Sequence, residues 1–443
     1  MKRSLRTLSL IALVAVPVQA QERLTLAAAV ERALAQFPSV EAARARQRQA
    51  EAALGEARAG RGPRGRLTAS ATQFEEPMVV TPIHGFGPGL FPEFDKTLFQ
   101  SQLTVSYTLY DGGATGARIR AAGSQLGSAG AALGAAEQVL AEQVAAAYLT
   151  ALGKARVLAA HDTRLAALEA ELARAQLRLK AGKAPQVEVL RAEAALAGAR
   201  SQRVSLSAAL DNAERDLARL LGVPPEDTRA PRLAGTALAE PAPPDREALA
   251  RAGIEASPEV AQARAQLAVA DANVKLAESA LKPELRAVGN LNDWGSSQGH
   301  AATEWNAGFQ LTVPLFDSGA TSRRIAVAEA ALRAAAEQVR LAETQVRQDV
   351  DRAAAAAEEA QARVESLEKA AERYAEVARV QKLLLDNGAG TQTDYLNAEA
   401  DLLAARASLA EAEQSVILAR VDLARAAGQL TPAWLQANLE TKP

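Results

Sequence analysis

The chain is written twice. Tyr110-Asp111-Gly112-Gly113-Ala114-Thr115 returns as Phe316-Asp317-Ser318-Gly319-Ala320-Thr321, 206 residues on (317 minus 111). The same offset carries Gly182 to Gly388, Ala192-Glu193-Ala194 to Ala398-Glu399-Ala400, and Asp216-Leu217-Ala218-Arg219 to Asp422-Leu423-Ala424-Arg425. Earlier in each unit, Pro38 and Val40 match Pro258 and Val260, and Pro63 matches Pro283, at an offset of 220 (258 minus 38). The first unit is longer by the difference, and its extra residues lie between Pro63 and Asp111. A tandem repeat restricts the fold: whatever one unit builds, the other builds again, and the two must pack side by side.

Within each unit the hydrophobic period changes. Residues 24–59 read as a helix ended by Gly60, Gly62 and Pro63. A strand hairpin follows at about 66–110. Phe99, Leu103, Val105, Tyr107 and Leu109 alternate there with Gln100, Gln102, Thr104, Ser106 and Thr108. The second unit repeats this at about 285–316, where Trp305, Ala307, Phe309, Leu311, Val313 and Leu315 oppose Asn306, Gly308, Gln310 and Thr312. Asp111 and Asp317 then stand where a carboxylate caps the next helix. That helix runs uninterrupted over 114–181, with its copy over 320–386, each roughly 100 Å long at 1.5 Å per residue. Gly182 and Gly388 end the two, and return helices follow at 186–221 and 392–427. The first and last helices of a unit are each about half as long, so stacked end to end they match the long one. The organisation is thus a first repeat at 21–222, a Pro-rich linker at 223–244, a second repeat at 245–428 and a tail at 429–443.

Composition fits this plan. Alanine dominates, aromatics make up 4% and cysteine is absent. The best helix former with the smallest side chain favours long helices in close approach. Without cysteine there are no disulfides, thiolate metal sites or acylated N-terminal cysteine. Lys2, Arg3 and Arg6, an apolar run from Leu8 to Val16, and Val18-Gln19-Ala20 read as a cleaved signal peptide over 1–20. Its removal takes the formal charge from −2 to −5, which argues against a nucleic-acid partner. No later segment is apolar for long enough to cross a bilayer as a helix.

Each of the four strands reads as about 9–12 residues, long enough to cross an outer membrane at a tilt. Four strands close no barrel, and an open sheet in lipid leaves unsatisfied edges, so copies of the chain must pool their hairpins. Three copies give twelve strands and a water-filled lumen lined by Gln, Thr and Ser. The competing account is a soluble sheet with its apolar face packed on the helices, in a periplasmic coiled-coil adaptor or scaffold. The signal peptide, the strand lengths and the lack of any further layer to cover the sheet favour the barrel.

The order of elements resembles the TolC family of outer-membrane efflux proteins over nearly the whole mature chain. The resemblance is carried by Leu24-Thr25-Leu26, Arg178-Leu179-Lys180-Ala181-Gly182, Val313-Pro314-Leu315-Phe316-Asp317-Ser318-Gly319 and Leu384-Leu385-Asp386-Asn387-Gly388. It implies a mainly α fold with a membrane β portion: a trimeric twelve-stranded β-barrel on a long α-helical barrel, acting as a passive exit duct for a tripartite efflux pump or type I secretion system. The implied location is the outer membrane of a Gram-negative bacterium, in contact with its lipid, with the helices in the periplasm. The implied partners are a periplasmic adaptor and an inner-membrane pump or secretion ATPase; no cofactor is implied. The helix-hairpin tips at Gly182, Lys183, Gly388 and Thr391 become candidate adaptor-docking points. Asp394, with Asn397 one turn on, becomes a candidate entrance ring. Two acids are usual at these positions in the family, so a single acid here implies a weaker ring. Thr391 through Asp394 also fit a capping box, which gives Asp394 a purely structural role. The linker and tail are short, so any equatorial belt is minimal.

Three apparent site motifs do not fit their surroundings. Gly295-Ser296-Ser297-Gln298-Gly299 matches G-x-S-x-G, but a strand follows where a nucleophile elbow requires a helix. Gly85-Phe86-Gly87-Pro88-Gly89 lacks the helix N-terminus a phosphate loop needs. His84, His161 and His300 have no ligand spacing. The reading is a non-enzymatic chain.

Overall fold

The computed structural model describes residues 23–82, 91–223, 233–238 and 245–442. The first repeat comprises α1 (Leu26–Gln36), α2 (Pro38–Ala59), β1 (Arg64–Val79), β2 (Phe94–Tyr110), α3 (Ala114–Lys180) and α4 (Gln186–Leu220). The linker contributes β3 (Gly235–Leu238). The second repeat comprises α5 (Arg246–Ala256), α6 (Pro258–Ser279), β4 (Glu284–Ser296), β5 (Ala301–Thr312), α7 (Ala320–Asp386) and α8 (Gln392–Ala426). The tail forms α9 (Pro432–Asn438) and β6 (Leu439–Lys442). The mainly helical, duplicated architecture with a β portion is the one observed; the signal peptide reading lies outside the described residues.

The opening helix of each unit is two helices. Phe37 (φ −74°, ψ 132°) and Ser257 (φ −63°, ψ 126°) are extended because each precedes a proline, whose ring disfavours helical geometry in the residue before it. Pro38 and Pro258 then start the next helix at a position that needs no N–H. Ser257 strengthens its start by accepting from the amides of Glu259 and Val260 at 3.2 and 3.3 Å.

The long helices α3 and α7 each hold 67 residues. Along α7 the buried positions Val350, Ala357, Val364, Ala371, Ala378 and Leu385 recur every seventh residue. That is the seam of a coiled coil, and α8 packs along it as α4 packs along α3. Both long helices end in a Schellman motif. Lys183 N donates to Arg178 O at 2.8 Å around Gly182 (φ 66°), and Ala389 N to Leu384 O at 2.9 Å around Gly388 (φ 73°).

The main core lies partway along the helices, where α1, α3, α4, α8 and α9 converge on Val30, Val144, Leu149, Leu217, Val421 and Leu435. Tyr148 of α3 is fully buried there. Its hydroxyl lies 2.7 Å from the carbonyls of both Leu24 and Ala234 and shares its proton between them. Beside this point β3 and β6 pair antiparallel, and Leu24 bridges to Leu233. The belt therefore contains two strands and a helix where the sequence reading left linker and tail without elements. Four-residue strands are too short to show an alternation, and each depends on a partner about 200 positions away for its hydrogen bonds.

Candidate functional site

The four long strands form one antiparallel sheet in the order β1-β2-β4-β5. They run 16, 17, 13 and 12 residues, three of them longer than the sequence reading allowed. The alternation over β5 continues in the sequence to Leu315, but the strand stops at Thr312, shortly before Pro314, which has no ladder donor. The pairing preserves parity: Leu67 opposes Leu103, Leu103 opposes Leu291, and Leu291 opposes Trp305. Odd-numbered residues therefore share one face, up to the irregularities near Gln73 and Thr108. That face is apolar and uncovered, with Leu67 70%, Trp305 74% and Phe309 76% exposed. The even face is polar. One row crosses the whole sheet from Arg66 through Thr104 and Asn290 to Asn306, with Thr104 Oγ1 donating to Asn290 Oδ1 at 2.8 Å and Asn290 Nδ2 to Asn306 Oδ1 at 2.9 Å. β1 and β5 each have a strand on one side only, leaving two free edges. A sheet with an exposed apolar face, a polar face and two open edges is incomplete alone.

Asp111 and Asp317 stand between sheet and helices. Asp111 accepts from the amides of Gly113 (3.1 Å) and Thr115 (2.6 Å), and Asp317 from those of Gly319 (3.0 Å) and Thr321 (2.8 Å). Burial pushes the Asp111 carboxyl up, but the bonds from Thr115 and Gly113 and the charge of Arg118 outweigh it and the net direction is down. Bonds from Thr321 likewise hold Asp317 below the usual carboxylate range. Gly112 and Ser318 occupy equivalent left-handed positions in these turns, with φ 65° and 55°.

The opposite end carries the two helix-hairpin tips, and their electrostatics differ. In the first, Glu188 is drawn back onto Arg178 of α3 at 3.4 Å. In the second, the position equivalent to Arg178 is Leu384, so Asp394 has no such partner. Thr391 caps α8, accepting from Asp394 N at 3.1 Å and donating through Oγ1 to Asp394 Oδ2 at 2.6 Å. Asp394 and Asn397 are exposed on one face of α8, while Tyr395 and Ala398 turn inward. Gly182 and Lys183 are exposed as well.

Sequence reasoning missed the links between the tips. Arg174 of α3 pairs with Asp386 of α7 at 2.5 Å, and Arg191 of α4 donates to Thr393 Oγ1 at 2.7 Å. These partners come from different repeats and no local motif announces them. Tyr395, buried among Glu399, Glu171 and Asp386, has its phenol pushed up to about 12, first by burial and then by those charges.

The remaining motifs fall elsewhere. Ser296 ends β4, and Ser297-Gln298-Gly299 turns toward β5, with Asp95 accepting from Ser297 Oγ at 2.8 Å. His161 Nε2 lies 2.9 Å from Ala199 O inside the α3–α4 packing, far from His300 at the hairpin turn. His84 and residues 85–89 lie outside the described residues.

The family model described as outer membrane efflux protein matches residues 29–223 and 249–429. The outer membrane efflux protein BepC of Brucella suis is 25% identical over 363 residues, covering 80% of this chain and 77% of its own. In fold, a membrane protein from Pseudomonas aeruginosa superposes with a TM-score of 0.75 at 23% identity, covering 91% of this chain and 93% of its own. The CmeC outer membrane channel of Campylobacter jejuni gives a TM-score of 0.75 at 17% identity, covering 93% and 88%.

Proposed function

Since the chain belongs to the outer membrane efflux protein family, we propose that three copies assemble into one continuous exit duct. In this reading the open edges of β1 and β5 pair between neighbours and close a twelve-stranded barrel. The odd face meets lipid and the even face lines the lumen. The observation that carries the reading is the sheet itself: parity kept across four strands, an uncovered apolar face and two free edges. Among the described residues no helix is long and apolar enough to cross a membrane.

The helices form the periplasmic part of the duct, and the tips at Gly182, Lys183, Gly388 and Thr391 dock a periplasmic adaptor. Asp394, with Asn397 beside it, rings the entrance. The duct has no motor of its own; an inner-membrane pump or secretion ATPase supplies cargo and energy. Family membership leaves the soluble adaptor alternative without support. Mass measurement of the mature protein in detergent tests the assembly. A trimer is expected, and a monomer that stays soluble without detergent overturns the barrel. A dimer keeps the barrel and overturns the stoichiometry.

A further inference from the structure

Where the sheet meets the helices, the even face opens into a cleft of about 820 Å³ walled by the ends of α2 and α6 and the starts of α3 and α7. Ser106, Thr108 and Thr312 give it a polar floor. Five cationic side chains line it: Arg64, Arg118, Lys282, Arg286 and Arg324. Two carboxylates do so, Asp111 and Glu284, and both are engaged. Asp111 accepts backbone amides of its turn, and Glu284 pairs with Arg286 at 2.7 Å. Lys282 Nζ donates to Gly112 O at 3.2 Å. Among the described residues Arg64 and Arg324 pair with no carboxylate, Arg118 acts on Asp111 through its charge from beyond ion-pair distance, and all three are exposed. Arg118 and Arg324 are equivalent positions of the two repeats, 206 apart (324 minus 118), so the duplication supplies this charge twice per chain.

Exposed guanidiniums in excess over the carboxylates of a concave wall raise the local concentration of anions, and their planar forks match phosphate and carboxylate oxygens. The volume suits a small molecule. We propose that this cleft is a binding site for soluble multivalent anions, phosphate or carboxylate compounds travelling along the polar face. The proposal rests on the barrel reading, which makes that face the lumen. Three copies make a basic collar at mid-duct, beyond the acidic entrance.

The test is single-channel recording in a neutral phosphatidylcholine bilayer, with inorganic tripolyphosphate added to the barrel side. The wild type is compared with an Arg118→Gln/Arg324→Gln variant and with Arg333→Gln, an exposed arginine outside the cleft. Tripolyphosphate is expected to block the wild type and the Arg333 control alike. The half-blocking concentration should rise about tenfold in the double variant, and high KCl should weaken the block. Equal block in the wild type and the double variant overturns the site while leaving the barrel standing. Loss of block when anionic phosphatidylglycerol is added to the bilayer assigns the arginines to lipid headgroups and overturns it as well. If the wild type forms no conducting channel, the barrel reading falls and takes the site with it.

Discussion

Arg174 of α3 and Asp386 at the last turn of α7 lie 2.5 Å apart, an ion pair that fastens the first helical hairpin to the second near their tips. Both side chains are about two-fifths exposed, so the pair is worth roughly 0.2–1 kcal/mol and governs local spacing more than global stability. Arg174→Ala is expected to broaden the distance distribution between spin labels placed at residues 183 and 389, with little change in Tm. The charge swap Arg174→Asp with Asp386→Arg should narrow it again. An unchanged distribution in Arg174→Ala would show that packing alone sets the spacing.

Gly182 and Gly388 hold positive φ, and an added Cβ at either meets open space. Gly182→Val or Gly388→Val therefore costs roughly 1–2 kcal/mol of backbone strain without a side-chain clash. Assembly in detergent should survive while export and cross-linking to the adaptor fall. Normal export with unchanged cross-linking removes the docking role from these tips.

Asp394 combines the proposed ring charge with a place in the cap of α8. Thr391 accepts the Asp394 amide whatever side chain stands there, so Asp394→Asn separates charge from cap. Thermal stability should hold, while cation preference and block by divalent ions decrease in planar bilayers. Asp394→Ala should do the same. If selectivity is the same in all three proteins, Asp394 serves only the helix.

Asp422 of α8 faces Glu142 of α3 across the contact between repeats, where Arg425 Nε meets Glu142 Oε2 at 2.8 Å. Burial first, and then the charge of Glu142, push the Asp422 carboxyl up to about 6 from 3.8. A raised acid disfavours the folded state once it must ionise. Stability from this site is therefore present below about pH 4 and lost as pH rises through about 6. Asp422→Asn should raise Tm at about pH 8 and make little difference near pH 4. The opposite trend would mean that the charge of Arg425 outweighs burial and the charge of Glu142.

Tyr148→Phe leaves the buried carbonyl of Ala234 without the hydroxyl, while that of Leu24 keeps the Ala234 amide at 2.9 Å. The expected loss is about 1–3 kcal/mol, read as a lower denaturation midpoint with an unchanged m-value. Wild-type stability in this variant would mean that water replaces the hydroxyl.

Much of this was legible because duplication let each signal be read twice. Alternation gave the faces of the sheet, Gly182 and Gly388 marked the hairpin turns, and Asp111 and Asp317 marked the starts of the long helices. The breaks at Phe37 and Ser257 are hidden in the apolar pattern because a proline in a first turn interrupts the backbone while leaving the apolar spacing intact. The β3–β6 pairing and the Arg174–Asp386 contact were invisible for another reason. Each joins residues about 200 positions apart, and their proximity follows only once the repeats have packed.

The junction around Tyr148 also imposes an order of events on the growing chain. It gathers the bridge at Leu24, the strand at 235–238 and the strand at 439–442, so the first, middle and last described segments meet in one place. Leu430 and Leu435, buried in the same core, follow both repeats in the chain and so are made after them. Until they arrive, Val30, Leu149 and Val421 lack part of their cover. A chain interrupted before residue 430 therefore presents an open apolar seam to periplasmic proteases and chaperones.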